Sequence, residues 1–327
     1  MEYSQFIAQF SVLNEEELAY EALWKQGKLP PFPSFIALSG SGLADITLGD
    51  RLFFPTDDGR DCHVEKHTRF LPSYIHDHQF LEMEFVMKGS CVQEVYGRKF
   101  LLEKGDAIII APHQYHAISV DDEKSIVMNV LAKSTILDTL LPPFSEGTSP
   151  LCEFFASLLG RKPLCPCVVI HHAEETFPLI ARLYQEGGRS NLFSLSLLAQ
   201  ILSLLLLVPQ GDVQFIDQGE VKDNRITAIL HYIRENPDRT TLSTLAEAFG
   251  LTPAYLSALI RQSTGSTFSA LLLRRKMEIA LSLLASGTAT CGEIAQKIGY
   301  GSAQHFCRTF HKWYGMTPMA YRHSQGR

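Results

Sequence analysis

The stretch IAQKIGYGSAQHFCRTFHKWYGMTPMAYR, residues 294–322, decides how the rest of the chain is read. With Cys291 just ahead of it, Ile294, Ala295 and Ile298 fall on one side of a helix. Gly299 follows where a helix would end in a left-handed turn. SAQHFCRTFHKWYG then makes a second amphipathic run, with Phe306 and Phe310 on its apolar side and Gly315 at its close. A short helix, a Gly-containing turn and a second helix form the helix-turn-helix arrangement, whose second helix can enter the major groove of DNA.

Upstream the pattern occurs again. Leu242, Leu245, Ala246 and Phe249, closed by Gly250, precede Cys291, Ile294, Ala295, Ile298 and Gly299 by 49 residues. In PAYLSALIRQSTG, Leu256, Ile260 and Gly265 precede Phe306, Phe310 and Gly315 by 50, so the second copy has one extra residue in its turn. Any helical hairpin gives one such pattern, but two at matched spacing form a tandem unit. Between them runs STFSALLLRRKMEIALSLLAS, residues 266–286, with Leu273, Met277, Ala280 and Leu284 on one face. About 20 helical residues span about 30 Å. That is close to the about 34 Å between successive major-groove faces.

At 327 residues the chain exceeds one ordinary hydrophobic core, and two domains are expected. A composition of 46% hydrophobic and 20% charged residues is that of a soluble globular protein. MEYSQFIAQF lacks the basic start and apolar run of a secretory signal. LSLLAQILSLLLLV, residues 195–208, is too short for a bilayer span and holds Gln200 and two serines. Seven cysteines without framework spacing fit free thiols in a reducing cytosol, so a cytoplasmic location away from the membrane is expected. Cys165-Pro-Cys167 with His171-His172 lacks a second cysteine pair and is not read as a metal site. Charge is uneven: residues 221–327 carry 13 Lys and Arg against 6 Asp and Glu, whereas 1–220 carry 16 against 29. A basic smaller part joined to an acidic larger one points to a polyanion as partner of the former.

From Thr241 to Arg322 the sequence resembles the tandem helix-turn-helix domain of the AraC/XylS transcriptional regulators, carried by LAEAFGLTPAYLSALIRQSTGSTF and by the opening stretch. The resemblance implies that the second helix of each unit reads double-stranded DNA. Its reading positions fall on Ala254, Ser257 and Ala258 in the first unit and on Ala303, Gln304, His305 and Arg308 in the second. Long polar residues or Arg are usual where Ser257 and Ala258 stand. Small side chains can touch a thymine methyl but make no bidentate contact, so the second unit is expected to dominate base reading. Arg261, Gln262 and Lys312 are placed for phosphates. Trp313 and Tyr314 read as core of the second unit.

The remainder changes texture near residue 134. Residues 35–130 read as short strands divided by turns, as in a sandwich or small barrel. Beyond them Phe177, Ile180, Ala181 and Tyr184 take helical spacing, and the Leu-rich segment follows with Leu195, Leu198, Leu202 and Leu205 on one stripe. In SYIHDHQFLEME, residues 73–84, His76 and His78 share a strand face, Glu82 follows, and Gly89 comes seven residues later. Gly105, Pro112 and His116 end a later strand. Together these resemble the two motifs of the cupin barrel, which also serves as effector domain in many AraC-type regulators. Gln114 stands where the metal-binding pattern has glycine, and the Pro–His spacing is one residue tighter. The resemblance implies a small-molecule pocket lined by Tyr74, His76, His78, Glu82 or Glu84, Tyr115 and His116, without a metal or other cofactor. Three imidazoles and a carboxylate could instead hold Fe, Mn, Ni or Zn. The competing class is thus a metal-dependent cupin enzyme fused to a DNA-binding domain.

The expected architecture is α+β. A cupin-like β-barrel spans 1–133, a helical dimerisation segment 134–208, a linker 209–224, and an all-α tandem helix-turn-helix domain 225–327. The expected function is that of an effector-controlled transcription regulator and not an enzyme, with a homodimer as the working form and RNA polymerase as a partner if it activates. The Leu-rich helix serves either that dimer or internal packing.

Overall fold

Strands buried on both faces read as near-continuous apolar runs; AIII is one, and IVMNVLA is another but for Asn129. The computed structural model describes residues 3–28, 47–48, 60–71, 73–160, 163–186, 190–216, 225–264, 266–285 and 289–324. These form two compact units, one up to Ile216 and one from Arg225 onward.

In the first unit β2 (Cys62–Lys66), β4 (Leu81–Lys88), β7 (Ala107–Ile110), β9 (Ile126–Ala132), β10 (Cys167–Ile170) and β11 (Val213–Ile216) form an antiparallel sheet in the order β11-β10-β7-β4-β9-β2. A second sheet joins β5 (Ser90–Val95) to β6 (Arg98–Glu103) and β8 (His116–Ser119). A short parallel pair links β1 (Thr47–Leu48) to β3 (Asp77–His78). Alternation along the strands creates two interiors. Met83, Phe85, Ile109, Met128, Val130 and Val168 face the helices. Val86, Ile108, Ile110, Val127 and Val169 face the second sheet, which contributes Cys91, Val95, Leu102 and Ile118. Each fully buried side chain of this size stabilises the fold by about 1.5–3 kcal/mol. Glu82 and Glu84 have the parity of Val86, so β4 carries two carboxylates into the inter-sheet space.

The helical layer comprises α3 (Ser134–Leu140), α4 (Pro142–Ser145), α5 (Pro150–Leu159), α6 (Phe177–Glu186) and α7 (Asn191–Leu206). The Leu-rich helix is α7. Leu197, Leu198, Ile201, Leu202 and Leu205 are buried in the same core as β4 and β9, so its apolar stripe is internal packing. Residues on its other side, Leu192, Ser196, Gln200 and Ser203, are exposed.

Three findings revise the expected boundaries. Two helices, α1 (Tyr3–Phe10) and α2 (Glu15–Lys25), stand ahead of the strands. Strand β10 lies inside the span read as helical, because CVVI is a β-branched run bounded by Pro166 and His171. Strand β11 lies inside the span read as linker and pairs along its whole length with β10. Residues 217–224 of that span, and residues 35–46 and 49–59 of the stretch read as short strands, fall outside the described residues.

The second unit is helical throughout: α8 (Arg225–Glu235), α9 (Leu242–Ala248), α10 (Pro253–Thr264), α11 (Phe268–Ala285), α12 (Cys291–Lys297), α13 (Ala303–Tyr314) and α14 (Pro318–Ser324). The repeat extends to the caps. Thr241 opens α9 with a capping box to Thr244, and Thr290 opens α12 with one to Glu293. Gly250 and Gly299 close these helices at φ +63 and +73, as the left-handed turn requires.

Candidate functional site

Helix α13 is two-sided. Phe306 and Phe310 are fully buried against Met277, Ile294 and Ile298, while Gln304, His305, Arg308 and Lys312 are exposed and Ala303 is half-buried. The Ser302 hydroxyl caps the helix by accepting from the His305 backbone N–H at 3.2 Å. Tyr300 in the turn meets the His305 ring edge-on at 5.1 Å, and the Lys276 ammonium lies 5.3 Å from the Tyr300 ring centre. Lys276 also donates to the Gly299 carbonyl at 3.3 Å, so the connecting helix α11 grips the turn of the second unit. Trp313 and Tyr314 pack half-buried on this core, as the sequence suggests.

Helix α10 buries Leu256 and Ile260 and exposes Ala254, Ala258, Arg261 and Gln262, with Ser257 half-buried. Sequence reasoning passed over Tyr255, a large aromatic side chain that is 55% exposed beside Ala254. Aromatic residues usually read as core; its offset by one from Leu256 was the available signal.

In the first unit the predicted pocket residues converge. His76 and His116 exchange both backbone hydrogen bonds, at 2.9 and 3.0 Å, and their rings lie 4.2 Å apart. His78 stacks on Phe80 at 4.3 Å and its Nε2 is 2.7 Å from Glu82 Oε2; His116 Nε2 is 3.3 Å from the same oxygen. Tyr74, His76, His78, Glu82, Glu84, Tyr115 and His116 are all buried. Each histidine turns its Nδ1 toward a backbone carbonyl: His76 to Tyr74 at 3.1 Å, His78 to Phe80 at 2.8 Å and His116 to Gln114 at 3.0 Å. A carbonyl only accepts, so Nδ1 of each ring carries a proton.

Burial, followed by the neighbouring His116, pushes the His76 imidazole well below its ordinary pKa and keeps it neutral. Burial pushes Glu82 up, but the charges and hydrogen bonds of His78 and His116 outweigh it and hold the carboxyl well below its usual range. Glu84 is pushed up to about 8 by burial and then by the charge of Glu82. The two carboxylates left as alternatives by the sequence thus divide the work: Glu82 is the anion among the imidazoles, and Glu84 is a protonated group that accepts from Gln93 Nε2 at 2.6 Å.

Sequence reasoning missed Gln93, Asn129 and His67. Gln93 sits between Cys91 and Val95 on the inward face of β5, and a glutamine on an apolar alternation was the signal. Asn129 is the Cα partner of Glu84 across β4 and β9. Burial pushes His67 down to about 4. His67 Nε2, Glu84 Oε1, Gln93 Oε1 and Asn129 Oδ1 are buried without a hydrogen-bond partner, and Nε2 of His78 and His116 meets only the Glu82 carboxylate. Ordinary proteins pair nearly all buried polar atoms, and this interior concentrates those left over. The donor set also fits a metal: one ligand atom from each of His76, Glu82 and His116 lies within 4.8 Å of the others. By contrast, Cys165 and His171 are engaged elsewhere, with the Cys167 carbonyl and Asp106.

A separate cleft of about 260 Å³ between α2 and the second sheet is lined by Trp24, Phe70, Leu71, Lys99 and Asp121 among others, and none of the predicted pocket residues lines it.

Paired helix-turn-helix units with polar, solvent-facing second helices, on a chain whose β unit holds a polar interior, define a DNA-binding regulator with a separate ligand-binding domain. Residues 245–324 match the family model for a helix-turn-helix domain, and residues 62–202 match that for the AraC-like ligand binding domain. The chain belongs to the AraC family of transcriptional regulators. It is 26% identical over 254 residues to the HTH-type transcriptional activator RhaS of Shigella boydii serotype 18, covering 77% of this chain and 87% of that one. It is 26% identical over 211 residues to the HTH-type transcriptional regulator GadX of Escherichia coli O127:H6, covering 63% and 74%. Among solved structures, the C-terminal domain of AraT from Geobacillus stearothermophilus is 34% identical over 30% of this chain and 82% of that one, with a TM-score of 0.29.

Proposed function

We propose that a small ligand, held among Tyr74, His76, His78, Glu82, Glu84, Tyr115 and His116, sets the affinity of this regulator for its operator. Ala303, Gln304, His305 and Arg308 of α13 read bases, Ala254, Ser257 and Ala258 of α10 add weaker contacts, and Arg261, Gln262 and Lys312 hold phosphates. The pocket binds and does not turn over, in keeping with relatives that are regulators. The working form is a homodimer in the cytoplasm, with RNA polymerase as a partner where it activates. No helix among the described residues is long and apolar enough to cross a membrane. A ligand can move DNA binding only as far as its affinity differs between two states of the protein.

The observation that carries the reading is the division of α13 into a buried Phe306–Phe310 side and an exposed Gln304–His305–Arg308 side. Its test is selection of bound fragments from genomic DNA by the full chain, followed by titration of the selected duplex with pools of small molecules. A defined operator whose affinity changes with one compound supports it. Binding that ignores sequence and every compound removes it.

A further inference from the structure

We propose that Cys291 and Cys307 form a reversible disulfide that ties α13 to α12 and weakens operator binding. The cross-link rests on this pair alone; its effect on DNA rests on reading α13 as a base-contacting helix.

All seven cysteines are free, and five of them are buried. Cys291 and Cys307 are the two that are half-exposed. They are also a pair that meets across two helices, where the Cys307 thiol donates to the Cys291 sulfur. Both sit at the edge of the core made by Ile294, Ala295, Phe306 and Phe310. Disulfides form only between cysteines whose side chains already approach one another, and these two do. Cys291 is the first residue of α12 and is held from both sides. Thr290 caps the helix through its capping box with Glu293, and the Arg322 guanidinium donates to the Ala289 carbonyl. Drawing the two sulfurs from contact into a bond therefore shifts α13 against α12. Cys307 comes one residue before Arg308 and three after Gln304, so both reading residues move with it. Bidentate contact with a base edge depends on placement, and the shift loosens it.

Burial, followed by the neighbouring Cys291, pushes the Cys307 thiol up, so Cys307 keeps its proton and Cys291 is the attacking sulfur. The oxidant is a low-molecular-weight disulfide. The Cys291 thiolate attacks one of its sulfurs, breaks that bond, expels one thiolate and becomes a mixed disulfide. Cys307 then gives its proton to solvent and attacks the Cys291 sulfur. The Cys291–Cys307 bond forms and the second thiolate leaves. The two cysteines lose two electrons and two protons, and the small disulfide is reduced to two thiols. In a reducing compartment the resting state is the dithiol, and the disulfide is a transient, regulatory one.

The test incubates the full chain in glutathione buffers of rising oxidised fraction, alkylates the remaining thiols and digests with trypsin without reductant. Met277–Lys297 and Ile298–Arg308 are separate tryptic peptides with one cysteine each, and they should appear as one linked mass. Operator affinity of the oxidised chain should fall about tenfold or more, as for loss of one bidentate base contact, and return with dithiothreitol. Cys291→Ser and Cys307→Ser should each give no linked peptide and an operator affinity that ignores the buffer, with folding checked by circular dichroism. Cys152→Ser should respond as wild type does. Linkage is read on the wild-type chain, so a variant that fails to fold does not decide the result. No linked peptide from folded wild type, or a glutathione adduct that never resolves into the link, overturns the site. Linkage with unchanged operator affinity overturns the control of DNA. Because linkage is scored without DNA, its failure and failure of the operator reading are seen separately.

Discussion

Glu17 and Arg69 form the most enclosed ion pair among the described residues, with neither side chain exposed. Arg69 Nε and Nη2 donate to the two carboxylate oxygens at 3.0 and 2.9 Å, its backbone N–H adds a third bond, and Lys66 contacts the same oxygen. The remaining guanidinium donors reach the Glu123 and Val12 carbonyls. The pair pins α2 to the barrel. Burial pushes the Glu17 carboxyl up, but bonds from Arg69, Lys66 and the Asn14 backbone outweigh it and hold its pKa at about 2, against 4.5 in an unfolded chain. A depressed carboxylate stabilises fully above its unfolded value and loses that contribution as the pH falls. Wild type should therefore lose stability between about pH 4.5 and 2 more steeply than Glu17→Gln. At pH 7, Glu17→Gln should cost about 3–5 kcal/mol, because it strands a buried guanidinium. Urea denaturation at both pH values checks this, and equal stability of the two proteins would remove the latch. At the same scale, Arg308→Ala should weaken operator binding by about 1–3 kcal/mol more than binding to a scrambled duplex, while Ser257→Ala does little. Greater loss of specificity from Ser257→Ala would assign the dominant reader to α10.

At the scale of elements, the two turn glycines separate backbone conformation from close approach. Both have positive φ, but a side chain at Gly299 would stand 2.2 Å from the Asp238 carbonyl oxygen, whereas one at Gly250 meets nothing within 4 Å. Gly250→Ala should cost about 1–2 kcal/mol, the strain of a left-handed residue. Gly299→Ala should cost clearly more, as read by thermal unfolding of the two variants. Equal costs would show that the second turn yields. The repeat was legible in the sequence because each helix carries a strict apolar stripe and each turn a glycine. The histidine cluster was legible from a period of two on one short strand. The N-terminal helices were not, since only the Asn14–Glu17 capping box marks them and their partners, Lys66 and Arg69, lie about fifty residues on. Nor was β11, whose four residues make sense only once β10 is beside them. The division of Glu82 from Glu84 follows from which one the imidazoles reach, and alternation alone cannot supply that. Truncation after residue 210 removes β11 and should melt lower than truncation after 216, by loss of Ile216 and the β10 pairing. The same melting temperature would make the strand dispensable.

For the whole molecule, dimerisation has to use surface that the chain does not already cover. The apolar stripe of α7 is internal, which leaves Leu192 at 80% and Leu207 at 75% exposed as its available apolar side chains. A homodimer through this helix predicts that Leu192→Glu with Leu207→Glu gives monomers in sedimentation without loss of the fold; dimers that persist would place the contact elsewhere. The proposed recognition of DNA gives α11 a central part. Its 18 residues span about 27 Å, and the proposed reading gives it the task of spacing α10 and α13 for successive major grooves. The most direct measurement is therefore the affinity of the full chain for its selected operator before and after five base pairs, about half a helical turn, are inserted between the two half-sites. Simultaneous reading requires affinity to fall to that of a duplex with one half-site scrambled. Affinity unchanged by the insertion would contradict it, and would mean that α10 and α13 do not act as paired readers.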